Sequence, residues 1–178
     1  MNESNLSLGE LIQLEQWTNK KCLEVIFDSD KDNWSENTSV FGDKLMNKSN
    51  LVFVIEEENN NKFGYYFNGT VKTDGSNMKA QGSFMFTLKS NGRMNGMYKF
   101  EEKDSCWGLD IENCSDSTLF GMYKNFWIQK ENYKTDCQIC EDSEYFEFHG
   151  KSNVFLSNSA GSSYTYFTPK RITVIQMN

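Results

Sequence analysis

Residues 51–71, LVFVIEEENNNKFGYYFNGTV, constrain the fold more tightly than any other stretch of the chain. Leu51 to Ile55 is an unbroken apolar run, which suits a strand covered on both faces. The acidic and asparagine-rich break from Glu56 to Asn61 then has to leave that interior. Asparagine tolerates positive φ and hydrogen-bonds its own backbone, so Asn59-Asn60-Asn61 reads as a turn. The return strand, Lys62 to Val71, sets Gly64 among Phe63, Tyr65, Tyr66 and Phe67. A missing Cβ in such a strand marks a bulge or a close backbone approach. The stretch therefore predicts a buried hairpin, and a hairpin of this kind needs a sheet around it.

The rest of the chain supplies that sheet. Ser7-Leu8-Gly9-Glu10 has the spacing of a capping box, and Leu8, Leu11, Ile12 and Leu14 follow at near-helical intervals, predicting a helix over 8–17. Cys22 to Phe27 reads as a strand. Thr38 or Ser39 can cap a second helix over Val40 to Asn47, with Val40, Phe41, Leu45 and Met46 facing inward. Thr73 to Ser76 is a turn and Ser83 to Leu88 a strand, after which Asn91-Gly92 turns the chain into Met97 to Phe100. A short segment at Cys106 to Leu109 precedes an apolar run from Leu119 to Ile128 broken at Lys124-Asn125. Tyr145 to Phe148 and Val154 to Leu156 read as short strands, and Arg171 to Met177 as a clean β-branched strand that locks the C-terminus into a sheet. Two antiparallel sheets packed face to face, flanked by two short helices, account for this order: a mainly β sandwich forming one domain over 1–178, with helix 8–17 leading into a sandwich over 22–177.

At 178 residues such a domain buries roughly 70% of the surface its unfolded chain exposes and needs no disulfides. Aromatics at 15% and a single proline argue for an ordered globule. The net charge of −7 disfavours a broad phosphate-binding face. No stretch has the ~18 apolar residues of a membrane span, and Met1 to Gly9 has neither the basic start nor the apolar run of a signal peptide. With five cysteines, an odd number, reduced thiols in the cytoplasm, with the nucleus as an alternative, are the expectation.

Four groups of residues carry candidate chemistry. Asp28, Asp30 and Asp32 alternate like the start of a calcium loop. The match stops at Asn33, where that loop has Gly, and at Ser39, where it has Glu. A solvated turn whose carboxylates cap backbone N–H groups is the stronger reading. Cys137 and Cys140 form one Cys-x-x-Cys pair for zinc or redox use, with Cys106, Cys114 and His149 as further ligands, but a second close pair is missing and ordinary core or loop cysteines are the default. His149 is the only histidine, and its aromatic neighbours suit a strand-end residue satisfied by a hydrogen bond. No Gly-x-Ser-x-Gly elbow accompanies it, so hydrolase chemistry is not expected. Lys89, Arg93, Lys99, Lys170 and Arg171 are the basic residues that could group into a nucleic-acid patch.

Several of these segments, taken in order, resemble TLDc domains. They are Trp17-Thr18-Asn19-Lys20-Lys21, the stretch Val25 to Ser35 (VIFDSDKDNWS), Leu51 to Ile55, Phe63-Gly64-Tyr65-Tyr66 and the phenylalanine-rich Ser83 to Leu88. The resemblance spans roughly 17–177 and departs from the family's pattern at two places. Tyr65 stands where a small residue usually follows the glycine, and Val174, Ile175, Gln176 and Met177 stand where the last strand usually carries Glu, an apolar residue and Trp. What the resemblance implies is a β-sandwich flanked by helices, serving as a non-catalytic module of oxidative-stress resistance without a cofactor. In several relatives it binds the vacuolar proton-pumping ATPase, so a protein partner is expected, with contacts from the loops Asp28 to Thr38 and Glu56 to Asn61. The alternatives are a stress-responsive DNA-binding regulator built on the basic residues and a metal or redox sensor built on Cys137 and Cys140.

Overall fold

The computed structural model describes residues 4–72, 76–103, 108–122, 125–140, 144–151, 154–156 and 164–178. Its elements are α1 (Leu8–Thr18), β1 (Cys22–Asp28), α2 (Phe41–Leu45), β2 (Ser49–Glu57), β3 (Asn61–Thr70), β4 (Phe84–Ser90), β5 (Tyr98–Glu101), β6 (Leu109–Ile111), β7 (Thr118–Met122), β8 (Phe126–Gln129), a 3-10 turn (Glu131–Asp136), β9 (Cys137–Ile139), β10 (Thr165–Phe167) and β11 (Pro169–Met177). They form two antiparallel sheets, a six-stranded one in the order β1-β11-β2-β3-β4-β5 and a five-stranded one in the order β10-β9-β8-β7-β6. The C-terminal strand is inserted between β1 and β2, so the two ends of the chain meet in the larger sheet.

Strand periodicity gives the larger sheet two buried faces. Leu51, Phe53, Ile55, Phe63, Tyr65 and Phe67 point toward the smaller sheet and join the main core. There the Phe120 ring of β7 lies 5.0 Å from Phe53 and stacks at 5.2 Å on Phe41 of α2, which in turn meets Phe27 edge-on at 4.8 Å. Val52, Val54, Tyr66, Phe84, Phe86 and Ile175 point the other way and form a second core with Leu6 and Leu14. Helix α1 lies over that face, with Trp17 packed edge-on to Phe84 at 6.2 Å. Both halves of its capping box are made, between Ser7 and Glu10. Glu10 also takes an ion pair from Lys62 of β3 at 3.0 Å, both side chains being nearly out of solvent.

Gly64 marks the close approach its neighbours imply. It pairs with Val54 on one side and Phe86 on the other, and a Cβ there would fall 1.8 Å from the Phe53 carbonyl oxygen and 2.8 Å from the Phe86 ring. Gly121 of β7 repeats the device in the smaller sheet opposite Trp127, whose ring would meet a Cβ at 2.3 Å. In each case the cross-strand aromatic covers the space that glycine leaves open.

Several expectations need correcting. The second helix ends at Leu45 and not Asn47, although Ser39 does accept from the Phe41 N–H at its start. The apolar run from Leu119 to Ile128 is a hairpin of two strands, and β9 and β10 were not anticipated. Both are three-residue strands, too short for alternation to register. Tyr145 to Phe148 contributes only an isolated bridge from Phe146 to Glu102, and Val154 to Leu156 is irregular. Their apolar side chains are buried all the same, Phe148 and Phe155 clustering with Phe100. Burial without a ladder is indistinguishable from a strand by composition. The break from Glu56 to Asn61 does not leave the core as a whole: Glu57 and Asn61 are buried. The expected turn at Thr73 to Ser76 and the segment at Cys106 lie largely outside the described residues.

Candidate functional site

The strands β1 and β2 finish at the same end of the larger sheet where β11 begins, and the ionisable candidates collect there. Arg171 of β11 donates from Nε and Nη2 to the two carboxylate oxygens of Asp28 at 2.9 and 2.7 Å. The same guanidinium lies 3.3 Å from Asp30. Lys170 donates to Glu56 at 3.1 Å, and the Asn5 amide donates to the other oxygen of Glu56 at 3.0 Å. Asp32 accepts from the Asp28 N–H and from Lys44, and Asp28 also accepts from the Asp30 N–H at 3.2 Å. The carboxylates thus cap backbone N–H groups as expected, but Asp28 is buried rather than solvated. Burial alone would raise its pKa, yet the Arg171 guanidinium and the Asp30 N–H hold it below the usual carboxylate value. The same contact raises Arg171.

Arg171, grouped above with a nucleic-acid patch, is therefore the ion partner of Asp28 and Asp30 from the acidic alternation, while Lys170 pairs with Glu56 and Asp32 with Lys44. Among the described residues no group of three or more His, Cys, Asp or Glu is placed to hold a metal ion. Of the remaining basic candidates, Arg93 donates to Asn61 and to the Phe155 carbonyl. Lys99 pairs with Glu101 at 3.1 Å and sits over the Phe84 ring. Lys89 is exposed on β4, opposite Lys62.

The β2–β3 turn is built inward around Glu57. Its carboxylate accepts from the backbone and side-chain N–H groups of Asn59 and Asn61, and Arg93 joins this group through Asn61. Only Glu58, Asn59 and Asn60 of the turn face solvent.

A second organised region joins loops of the smaller sheet to the segment after β1. The side chain of Lys130, buried at the end of β8, sends its ammonium to the carbonyls of Asn113, Cys114 and Asp116, the Cys114 contact being 2.9 Å. Burial pushes this lysine's pKa below its usual value, against the pull of Asp116 and other nearby acids. Ser35 donates to Glu131, the Glu36 N–H donates to Asn132, and Tyr133 donates to Glu36, so the 3-10 turn grips the loop that leaves β1. The signal for Lys130 was present in the sequence, since period-two alternation through Phe126 and Ile128 puts residue 130 on the buried face. Lys130→Met leaves three carbonyls without their donor, and a loss of about 3 kcal/mol is expected. In a thermal melt that corresponds to a Tm lower by about 10 °C.

The cysteine and histidine candidates are dispersed. Cys137 in β9 and Cys140 just beyond it are buried, and burial pushes the Cys137 thiol up to about 12. Cys114 is exposed, and Cys106 lies outside the described residues. His149 is exposed at positive φ, with Nε2 3.5 Å from Glu101.

This two-sheet architecture, with α1 over its outer face, agrees with the family comparison: the TLDc domain model matches residues 3–174. The chain belongs to the TLDc-domain family, and it is an oxidation-resistance-type module. Comparison with the curated proteins gives no match. No helix among the described residues is long and apolar enough to cross a membrane.

Proposed function

We propose that this TLDc domain is a non-catalytic interaction module of the oxidative-stress response, acting in the cytoplasm on a protein partner, with the vacuolar proton-pumping ATPase as that partner. One observation carries the reading. The β1–α2 loop and the β2–β3 turn leave the same end of the larger sheet, fastened there by the Arg171 and Lys170 ion pairs. Their exposed residues, among them Lys31, Glu58 and Asn59, are thereby presented on a preorganised surface. Preorganisation lowers the ordering cost that a flexible loop incurs on binding. Catalysis gains no comparable support. The acids and bases at this end neutralise one another, and the Cys137 thiol is held protonated at neutral pH.

Affinity capture from cell extract tests the proposal. Wild-type protein is expected to recover subunits of the proton-pumping ATPase, and the double variant Lys31→Glu with Glu58→Lys to recover severalfold less, because reversed charges at a rim slow association. Equal recovery by the variant removes these loops from the interface. Failure of the wild type to recover the ATPase removes that partner.

A further inference from the structure

A cleft of about 410 Å³ opens between the end of the β1–α2 loop, α2 and the segment that follows β6. Val40, Met46, Val71 and Ile111 are the apolar part of its lining, with Asp43 contributed by α2 and Glu112 by the segment after β6. The walls are fixed. The Asn37 N–H donates to the Cys114 carbonyl at 2.6 Å, Asn47 and Lys48 exchange backbone bonds with Val71, and the Lys130 ammonium holds the Asn113 and Cys114 carbonyls from beneath. A pocket braced in this way keeps its shape when empty, as ligand sites generally do.

Charge decides what the cleft can accept. At the charged end of the larger sheet, Asp28, Asp32, Glu56 and Glu57 all have donors. Neither Asp43 nor Glu112 has a hydrogen bond or ion pair through its carboxylate among the described residues. Asp110 and Asp116 add to the negative field at Glu112, whose pKa is raised by burial and then by those two neighbours, against the smaller pull of the Lys130 ammonium. Lys72 is the one lysine on the lining. A carboxylate so placed gains from an arriving cation, and the apolar lining gains from an apolar side chain beside it.

We propose that this cleft docks a basic peptide segment of a protein partner, an arginine or lysine lying between Asp43 and Glu112 while an adjacent aliphatic side chain covers the half-buried Val40 and Met46. The inference rests on the reading of the domain as an interaction module and adds a second contact, at the α2 end of the β1–α2 loop, whose Asn37 and Thr38 also line the cleft.

Fluorescence anisotropy with a fluorescein-labelled decapeptide of alternating leucine and arginine is the direct test. The same peptide with serine for leucine, and with glutamate for arginine, supplies the comparisons. The Leu-Arg peptide is expected to bind wild-type protein, and Asp43→Lys with Glu112→Lys to weaken it by at least about tenfold. Glu112→Gln, which keeps the side chain's shape, should weaken it less. Glu58→Lys at the other surface should leave it unchanged, and circular dichroism should show each variant folded. Absence of binding, equal binding of the serine peptide, or indifference to the Asp43 and Glu112 changes would each overturn the proposal. The two readings fail separately. If the cleft variant captures the ATPase as well as wild type does while the loop variant does not, the cleft is excluded and the module reading stands. If the peptide binds at the cleft but wild-type protein captures no ATPase, the partner fails and the cleft stands.

Discussion

Replacing Gly64 by alanine is expected to cost the protein most of its stability, about 4 kcal/mol or more. The added Cβ would sit 1.8 Å from the carbonyl oxygen of Phe53 and 2.8 Å from the Phe86 ring. A ring can swing aside, but the carbonyl belongs to β2, which is held between β11 and β3 through most of its length. Relief therefore means displacing the strand whose inner residues contact Phe120 and the smaller sheet. Denaturant unfolding measures the effect. Gly92→Ala is the control, since Gly92 has positive φ but nothing within 4 Å of a Cβ, and strain alone costs about 1 kcal/mol. A Gly64 variant no less stable than the Gly92 variant would mean that the strands are not packed as described.

Arg171→Met should cost about 3–5 kcal/mol, because it strands a buried carboxylate. Asp28 is 2% exposed and loses both of its guanidinium hydrogen bonds in the variant. The double variant Arg171→Met with Asp28→Asn should recover part of that loss, since no charge is then left buried without its partner. The pH dependence has a definite sign. Asp28 is held below its unfolded value, so the pair contributes stability above about pH 4 and loses it as pH falls through the folded value. In Arg171→Met burial dominates and the carboxyl takes up a proton more readily. The gap between variant and wild type should thus be widest near neutrality, begin to narrow as the pH falls through the variant's raised value, and narrow further below about 4. A gap that stays constant from pH 7 to pH 3 would show that Asp28 is not the group responsible.

The elements that were legible in the sequence are those whose signal is local and repeated. The capping box at Ser7 and Glu10, the apolar run of β2 and the β-branched run of β11 each specify an element from neighbouring residues. Gly64 was readable because four aromatics, Phe63, Tyr65, Tyr66 and Phe67, surround it. What escaped notice depends on partners distant in the chain. Asp28 and Arg171 lie 143 residues apart, so an acidic turn and a basic strand end looked like two sites when they are one ion pair. Glu57 looked solvated because three consecutive glutamates usually are, yet the asparagines that follow it turn their N–H groups back onto its carboxylate. Lys130 was passed over because lysine seldom ends a buried row, although the alternation pointed inward. The strands β9 and β10 carry too few residues to show a period at all.

The placement of α1 sets where the cooperative unit begins. Leu6 and Leu14 cover side chains that β2, β3, β4 and β11 turn away from the partner sheet, and Asn5 reaches both Glu56 and Thr173. The segment ahead of the first strand is thus a third layer of the molecule, and the sandwich without it would present a greasy flank to water along four adjoining strands.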